Sequence, residues 1–300
     1  MSSSEQQDLD LHWKSGDPAA SETIYRSMLF EARQPPEKEG QRSQEIELLS
    51  LIGRSLAAQQ KMEEALVCLE EAEKLLNEKN SGHKVSAQIR WLIERGRLYI
   101  QQNTPARSRP LFSQAWVLAV NSGEDFFTVD IARMMAVIEP QKAQEEWILK
   151  GIQIAEQSPQ EKPKRWLGSL YSTYAWKLYD LRQYERAHET LQRSLSHFRK
   201  FGTEREIFVA RWSVGRVLRQ MNRTEDALTI HRALHAELGD TKSPDGRLYE
   251  ELAECLHALK KSDEAQMYFE LAFKELSKEQ WVADSQPLKL KRLKTMGKVT

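Results

Sequence analysis

Histidine pairs, paired carboxylates and cysteines are the residue types from which chemistry could be built in this chain. His231 and His235 stand four residues apart, a spacing that puts two imidazoles on one helix face, as two ligands of a metal ion require. However, His231 falls where other segments carry Leu69 and Phe269, so the pair reads first as packing. His188-Glu189 opens like a zinc-protease signature, but Thr190-Leu191-Gln192 follows where the second histidine must stand. Cys68 and Cys255 lie in apolar helical patterns, each far from the other, and read as small buried hydrophobes of a reducing compartment. Glu63-Glu64, Glu70-Glu71 and Glu145-Glu146 interleave with Lys and Arg, the pattern of a solvated helix face. There is no glycine-rich phosphate loop and no Gly-x-Ser-x-Gly elbow. The expectation is a protein that is not an enzyme, with no cofactor and no metal.

Composition narrows the remaining classes. The 300 residues carry 44 Lys+Arg against 44 Asp+Glu, a formal net charge of zero, which disfavours nucleic acid as the partner. No apolar run approaches the length of roughly 18 residues needed to span a bilayer. Met1-Ser2-Ser3-Ser4-Glu5 has neither a basic nor an apolar leader segment, so a cytoplasmic location is expected. Only 13 Gly and 10 Pro punctuate the chain, which favours long helices, and strand-like alternation is essentially absent. At the C-terminus, Leu288-Lys289-Leu290-Lys291-Arg292-Leu293-Lys294 alternates apolar and basic residues. It reads as a basic tail for an acidic partner, nucleic acid or a membrane surface, or as a helix capping what precedes it.

The elements that position these residues repeat. A small residue sits mid-helix between large apolar ones; a polar turn follows; then come an Ala and, four residues on, a large apolar residue. The clearest copy is Leu49-Leu51-Ile52-Gly53-Leu56, turn Gln59-Gln60-Lys61, then Ala65-Leu69-Ala72. Others centre on Gly96, Ala175, Gly215 and Ala253, with turns at Gln101-Gln102-Asn103, Arg182-Gln183, Met221-Asn222-Arg223 and Lys260-Lys261. Weaker copies run from Glu124 through Trp147, and from Leu9 through a turn at Ser15-Gly16-Asp17 to Ile24. The anchors Gly53, Gly96, Ala132, Ala175, Gly215 and Ala253 are 36 to 43 residues apart. Breaks fall at Asn80-Ser81-Gly82, Asn121-Ser122-Gly123, Ser158 to Pro163, Phe201-Gly202-Thr203 and Gly239 to Gly246. Small residues at a crossing let two antiparallel helices approach, and one such hairpin cannot bury its stripe alone, so copies must stack. Trp91, Trp116, Trp147 and Trp166 are expected to be buried between hairpins, whereas Trp176 and Trp212 fall on another stripe.

This pattern resembles the tetratricopeptide repeat, whose consensus is about 34 residues long. Gly53, Ala65, Leu69 and Ala72 match its four small or large key positions, as do Ala253, Ala265, Phe269 and Ala272; Gly96, Phe112 and Ala115 match three, with Ser108 at the other. The longer spacing is similar to the repeats of kinesin light chain, of the maltose-regulator class and of bacterial peptide-sensing regulators. The resemblance covers roughly residues 5–277 and implies an all-α, right-handed superhelical solenoid of about seven antiparallel hairpins. The expected division is a repeat domain over 1–278 and a basic tail or capping segment over 279–300.

In this repeat type the second, fifth, ninth and twelfth positions of each first helix face the groove. Aligned on the anchors, they include Arg54, Arg90, Arg97, Trp176, Tyr179, Trp212, Arg216 and Arg219. Arginine and aromatics are the residues that dominate interface energetics. The Lys and Asn pattern of clamps for a terminal carboxylate is missing. The implied function is a non-enzymatic protein-protein interaction scaffold binding a peptide or partner helix of acidic or mixed charge. The alternative is a ligand-switched regulator that senses a short peptide. Repeats starting near residue 5 leave no room before them for an effector domain, which counts against it. Single-stranded RNA binding is a distant third reading. The competing structural role for each groove arginine is an ion pair with an acid of the neighbouring repeat.

Overall fold

A computed structural model of the chain describes residues 8–14, 16–35, 40–78, 82–239 and 245–299. The breaks marked at Asn80-Ser81 and Asp240 to Pro244, and the turn residue Ser15, lie outside them. The chain divides into two units, Met1–Lys164 and Arg165–Thr300. Among the described residues both units are helical, without strands.

The first unit opens with a short 3-10 turn, Leu9–His12, and helix α1, Pro18–Ala32. Asp17 accepts the Ala20 amide at 3.0 Å, and Pro18 supplies a helical φ at the first position, which fixes where α1 starts. Three hairpins follow: α2 (Gln41–Ala58) with α3 (Met62–Asn77), α4 (Val85–Gln101) with α5 (Pro105–Ser122), and α6 (Asp125–Ile138) with α7 (Gln141–Gln157). One further turn, α8 (Glu161–Lys164), ends the unit. In the N-terminal copy of the repeat, the described residues before α1 form a 3-10 turn where a first helix is expected.

The second unit also holds three hairpins: α9 (Leu167–Asp180) with α10 (Tyr184–Phe201), α11 (Glu204–Gln220) with α12 (Thr224–Leu238), and α13 (Gly246–Ala258) with α14 (Ser262–Leu276). Thr203 and Glu206 form a reciprocal capping box that starts α11. Beyond α14 come α15 (Gln280–Ser285) and α16 (Pro287–Met296). The basic segment is α16: Leu293 is buried, and Gly297 lies against the backbone of Glu270 in α14.

Five of the six hairpins turn identically. Gln60, Asn103, Arg182, Asn222 and Lys260 each adopt the left-handed conformation two residues past the first helix, with φ between 55° and 65°. The following amide then reaches back to the last helical turn, as from Lys61 to the Leu56 carbonyl and from Lys261 to Leu256, both near 3.0 Å. The hairpin α6/α7 instead turns through Glu139-Pro140 without a positive φ.

Packing inside each hairpin follows the small-to-large rule. A Cβ added at Gly53 would stand 3.0 Å from Leu69; at Gly96, 2.6 Å from the Phe112 ring; at Gly215, 2.6 Å from the His231 ring. These glycines are buried mid-helix and serve close approach, which offsets their helix-propensity cost of about 1 kcal/mol. Ser108, standing for the usual Ala, donates its hydroxyl to the Gly96 carbonyl at 2.9 Å, and Ser194 donates to Gly168 at 2.7 Å. Both cysteines are buried, and burial pushes the Cys255 thiol up to about 12. Trp91, Trp116, Trp147 and Trp166, expected to be buried, are half-buried instead. Each large indole keeps an edge at the surface; Trp91, for example, spends its N–H on the Leu69 carbonyl at 2.8 Å.

Candidate functional site

The first helices of successive hairpins pack against one another in each unit, α2 on α4, α4 on α6, and α11 on α13. Each unit therefore has a first-helix wall, and the predicted groove residues stand on it. Their placement differs between the units.

In the first unit the arginines are engaged internally. Arg97 donates to Asp130 and lies 3.3 Å from Glu94. Arg54 lies 3.7 Å from Glu94, with its guanidinium 4.0 Å above the Trp13 ring. Arg90 is 4% exposed and forks Asp10 at 2.9 and 2.7 Å, with Glu47 at 3.4 Å. Burial penalises the Asp130 carboxylate, but the guanidiniums of Arg97 and Arg133 hold it below its ordinary range. Of the two roles open to Arg54, Arg90 and Arg97, ligand contact or an ion pair within the wall, the ion pair is present for all three. The physical reason is that a guanidinium this deep in a helical wall must be neutralised where it stands.

Those acids follow a rule of register. Glu94, Asp130 and Glu251 each lie two residues before the small anchor of their own first helix, Gly96, Ala132 and Ala253. Arg54, Arg97 and Arg216 each lie one residue after the anchor of the preceding repeat. All three arginines reach the acid of the next repeat, Arg216 to Glu251 at 3.2 Å. This signal was present in the sequence, as a carboxylate inside an otherwise apolar stripe followed at repeat spacing. Where the later repeat has Ser213 in place of the acid, the earlier one carries Trp176 in place of the arginine.

The second unit gathers the remaining predicted residues into one cluster. Trp176 and Tyr179 come from α9; Trp212, Arg216 and Arg219 come from α11. The Arg216 guanidinium lies 5.4 Å from the Trp212 ring, 5.8 Å from Tyr179 and 5.9 Å from Trp176. The rings pack on one another, Trp176 against Tyr179 edge-on at 5.1 Å and against Trp212 at 6.1 Å. Trp212 donates its indole N–H to the Arg247 carbonyl at 3.3 Å. Beneath them Arg219 forks Glu251 at 2.8 and 3.1 Å, and Glu251 is 1% exposed. One buried carboxylate thus serves two guanidiniums. Burial works against the charge on Arg216 and Arg219, but Glu251 overrides it, so both remain cationic.

The neighbouring acids of α13, Glu250 and Glu254, are taken by the chain's end. Lys289 of α16 pairs with Glu250 at 2.6 Å, and Arg292 pairs with Glu254. His231 and His235 do not converge on a common point. His231 packs on Gly215, whereas His235 lies edge-on to Tyr249 and Tyr268. Among the described residues, no helix is long and apolar enough to cross a membrane.

Residues 246–275, the span of α13 and most of α14, match the tetratricopeptide repeat family model. No curated protein matches the chain by sequence. Among solved structures, the apo form of RapI is similar at 13% identity, over 91% of this chain and 76% of that one, with a TM-score of 0.68. A Signal Transduction ATPase with Numerous Domains from Pyrococcus horikoshii, PH0952, which carries a tetratricopeptide repeat sensor, is similar at 13% identity and TM-score 0.66. That likeness covers 93% of this chain and 44% of the other. NprR in complex with its cognate peptide NprX is similar at 14% identity and TM-score 0.55, over 100% of this chain and 87% of that one. Likeness at these identities is a likeness of fold. The fold and the matched segment together define the class as far as a helical-repeat protein, one segment of which, residues 246–275, matches the tetratricopeptide repeat.

Proposed function

We propose that this chain is a non-catalytic protein-interaction scaffold, and that it binds a peptide of acidic or mixed charge at the Trp176, Tyr179, Trp212, Arg216 and Arg219 cluster. The observation that carries this reading is a cationic guanidinium framed by three half-buried rings and sharing the buried carboxylate of Glu251 with a second arginine. Such a site offers forked donors to a carboxylate and flat apolar area to the residue beside it. Arg54, Arg90 and Arg97, each neutralised within the first unit, contribute to the wall and not to this contact. Similarity to NprR, solved with a peptide, also supports a peptide as the occupant. The same similarity keeps a second reading in play, a regulator switched by a short peptide; it requires that peptide binding alter amide exchange well away from the cluster.

The test is a fluorescence titration with a panel of synthetic acidic-aromatic peptides, comparing the wild type with Arg216→Gln. Arg216 is the residue to change, because Arg219 remains to neutralise Glu251 and the fold is kept. Charge reversal at Arg219 would leave Glu251 buried opposite another acid and would confound binding with unfolding. Peptides that bind the wild type should bind Arg216→Gln at least tenfold more weakly. Equal affinity in the folded variant would move the site off this cluster.

A further inference from the structure

The first-helix wall of the first unit is already occupied, and by the chain itself. Residues 8–13, Asp8-Leu9-Asp10-Leu11-His12-Trp13, do not form the first helix that this place in the repeat would call for. They form one 3-10 turn anchored by polar side chains as well as by Leu9, which is buried in the core, and Trp13, which packs against it. Asp10 enters the Arg90 fork and also accepts from Lys162 at 2.7 Å. Asp8 pairs with Lys162 at 2.7 Å. The Leu9 carbonyl accepts from the Tyr25 hydroxyl at 3.1 Å. Trp13 lies on Arg54 and forms one wall of a cavity of about 290 Å³, whose other sides include Ala57, Leu98, Met134 and Val137. Of this turn only Leu9 is buried, and Leu11 is 63% exposed.

We propose that this wall is a peptide-recognition surface whose resident ligand is the chain's own segment 8–13. Its external partner is then a peptide of the same chemistry: two acidic side chains two residues apart, followed by an aromatic that seats over Arg54 beside the cavity. The mode of attachment carries the inference. A helix of the repeat core is held by an apolar stripe, whereas this segment joins the core only through Leu9 and the packed Trp13 ring and is otherwise held by carboxylates in cationic forks and by that ring on a guanidinium, a mixed attachment of the kind that holds a bound peptide. Burial alone would push the Asp10 carboxyl up, yet Arg90 and Lys162 hold it far below the usual range, so the segment is bound as an anion. Charge neutrality in the wall does not depend on Asp10 alone, because Arg90 retains Glu47 at 3.4 Å. As a tethered ligand the segment acts at an effective concentration on the order of millimolar, so an external peptide competes poorly until the segment is weakened.

This proposal is independent of the cluster in the second unit. Its test uses the full chain and a fluorescein-labelled hexapeptide, Asp-Leu-Asp-Leu-His-Trp, read by anisotropy. Asp8→Asn with Asp10→Asn removes both anionic contacts of the resident segment. The labelled peptide should bind that variant at least tenfold more tightly than it binds the wild type, and the amide analogue Asn-Leu-Asn-Leu-His-Trp should show no such gain. Arg216→Gln should leave this binding unchanged, which separates the two sites. No gain in the folded double variant, or an equal gain for the amide analogue, would overturn the proposal. So would loss of amide protection throughout α2 to α4 in the double variant, because the segment would then be part of the core and not a ligand.

Discussion

His231 occupies the place filled by Leu69, Phe112, Leu191 and Phe269 in other hairpins, and like them it is fully buried. Its ring presses on Gly215, and its Nε2 lies 4.0 Å from Glu251. Burial pushes its pKa from 6.5 down to about 4, and although Glu251 favours the charged form, Arg219 and Arg216 oppose it. The folded chain therefore keeps this imidazole neutral over a range where the unfolded chain takes up a proton. Stability contributed by the neutral ring is present above pH 6.5 and is lost as pH falls from 6.5 toward 4. At about 1.4 kcal/mol per pH unit, the loss is ~3.5 kcal/mol at most. Carboxylates such as Asp130 and Glu251, whose pKa values are also lowered, contribute in the same sense but at lower pH, their stabilisation being lost as pH falls below their unfolded values near 4. His231→Leu should reduce the dependence between pH 6.5 and 4, leaving the contributions of His188 and Glu124, with Gly215 accepting Leu as Gly53 accepts Leu69. Denaturant melts across that window are the measurement, and a slope unchanged by the substitution would assign the effect to other groups.

Elements here are joined by two repeated devices, a left-handed turn within the hairpin and an arginine-to-acid pair between hairpins. The turn places Arg182 and Lys260 at φ near 60°, where a residue with a Cβ is strained by about 1 kcal/mol. Arg182→Gly should relieve that strain and raise stability by a few tenths to about 1 kcal/mol, less the extra entropy glycine brings to the unfolded chain. A lower melting temperature would show that the Arg182 side chain contributes more than its backbone costs. The inter-hairpin pair has the larger effect. Glu251 is buried between two guanidiniums and a histidine, so Glu251→Gln leaves two cations facing each other and should cost about 3–5 kcal/mol. Glu254→Gln removes only the partner of the half-exposed Arg292 and should cost about 1 kcal/mol or less. Urea titrations of the two variants measure the contrast directly. Comparable losses would mean that the buried pair behaves like a surface one.

At the scale of the whole molecule, the repeat was legible from residues alone because its signals are local and periodic: Gly53 opposite Leu69, Gly96 opposite Phe112, Ala253 opposite Phe269. The first-helix residues Arg54, Arg90, Arg97, Trp176, Tyr179, Trp212, Arg216 and Arg219 were legible as a stripe, which follows from helical spacing. The repeat-to-repeat pairs of Arg54, Arg97 and Arg216 carried a signal in their register, but the engagement of Arg90 did not, because Asp10 meets Arg90 across 80 residues and Lys162 meets Asp10 across 152, separations that no periodicity encodes. At the other end, the segment that reads as either a basic tail or a capping helix folds back as α16. There its role resembles that of a terminal repeat in a stack, which must cover the last exposed apolar face. Leu293 and Val282 are buried there, and Lys289 and Arg292 neutralise the α13 acids Glu250 and Glu254. Ending the chain after Gln286 would uncover the side of α14 that α16 packs on and would leave both acids without these cations. The burial of Leu293 alone is worth about 2 kcal/mol by its apolar area, so amides of α13 and α14 should exchange at least tenfold faster in the shortened chain. Amides of α2 and α4, in the other unit, should keep their protection. Unchanged exchange in α14 would mean that the helix is an appendage, and its basic face would then be available to an acidic partner after all.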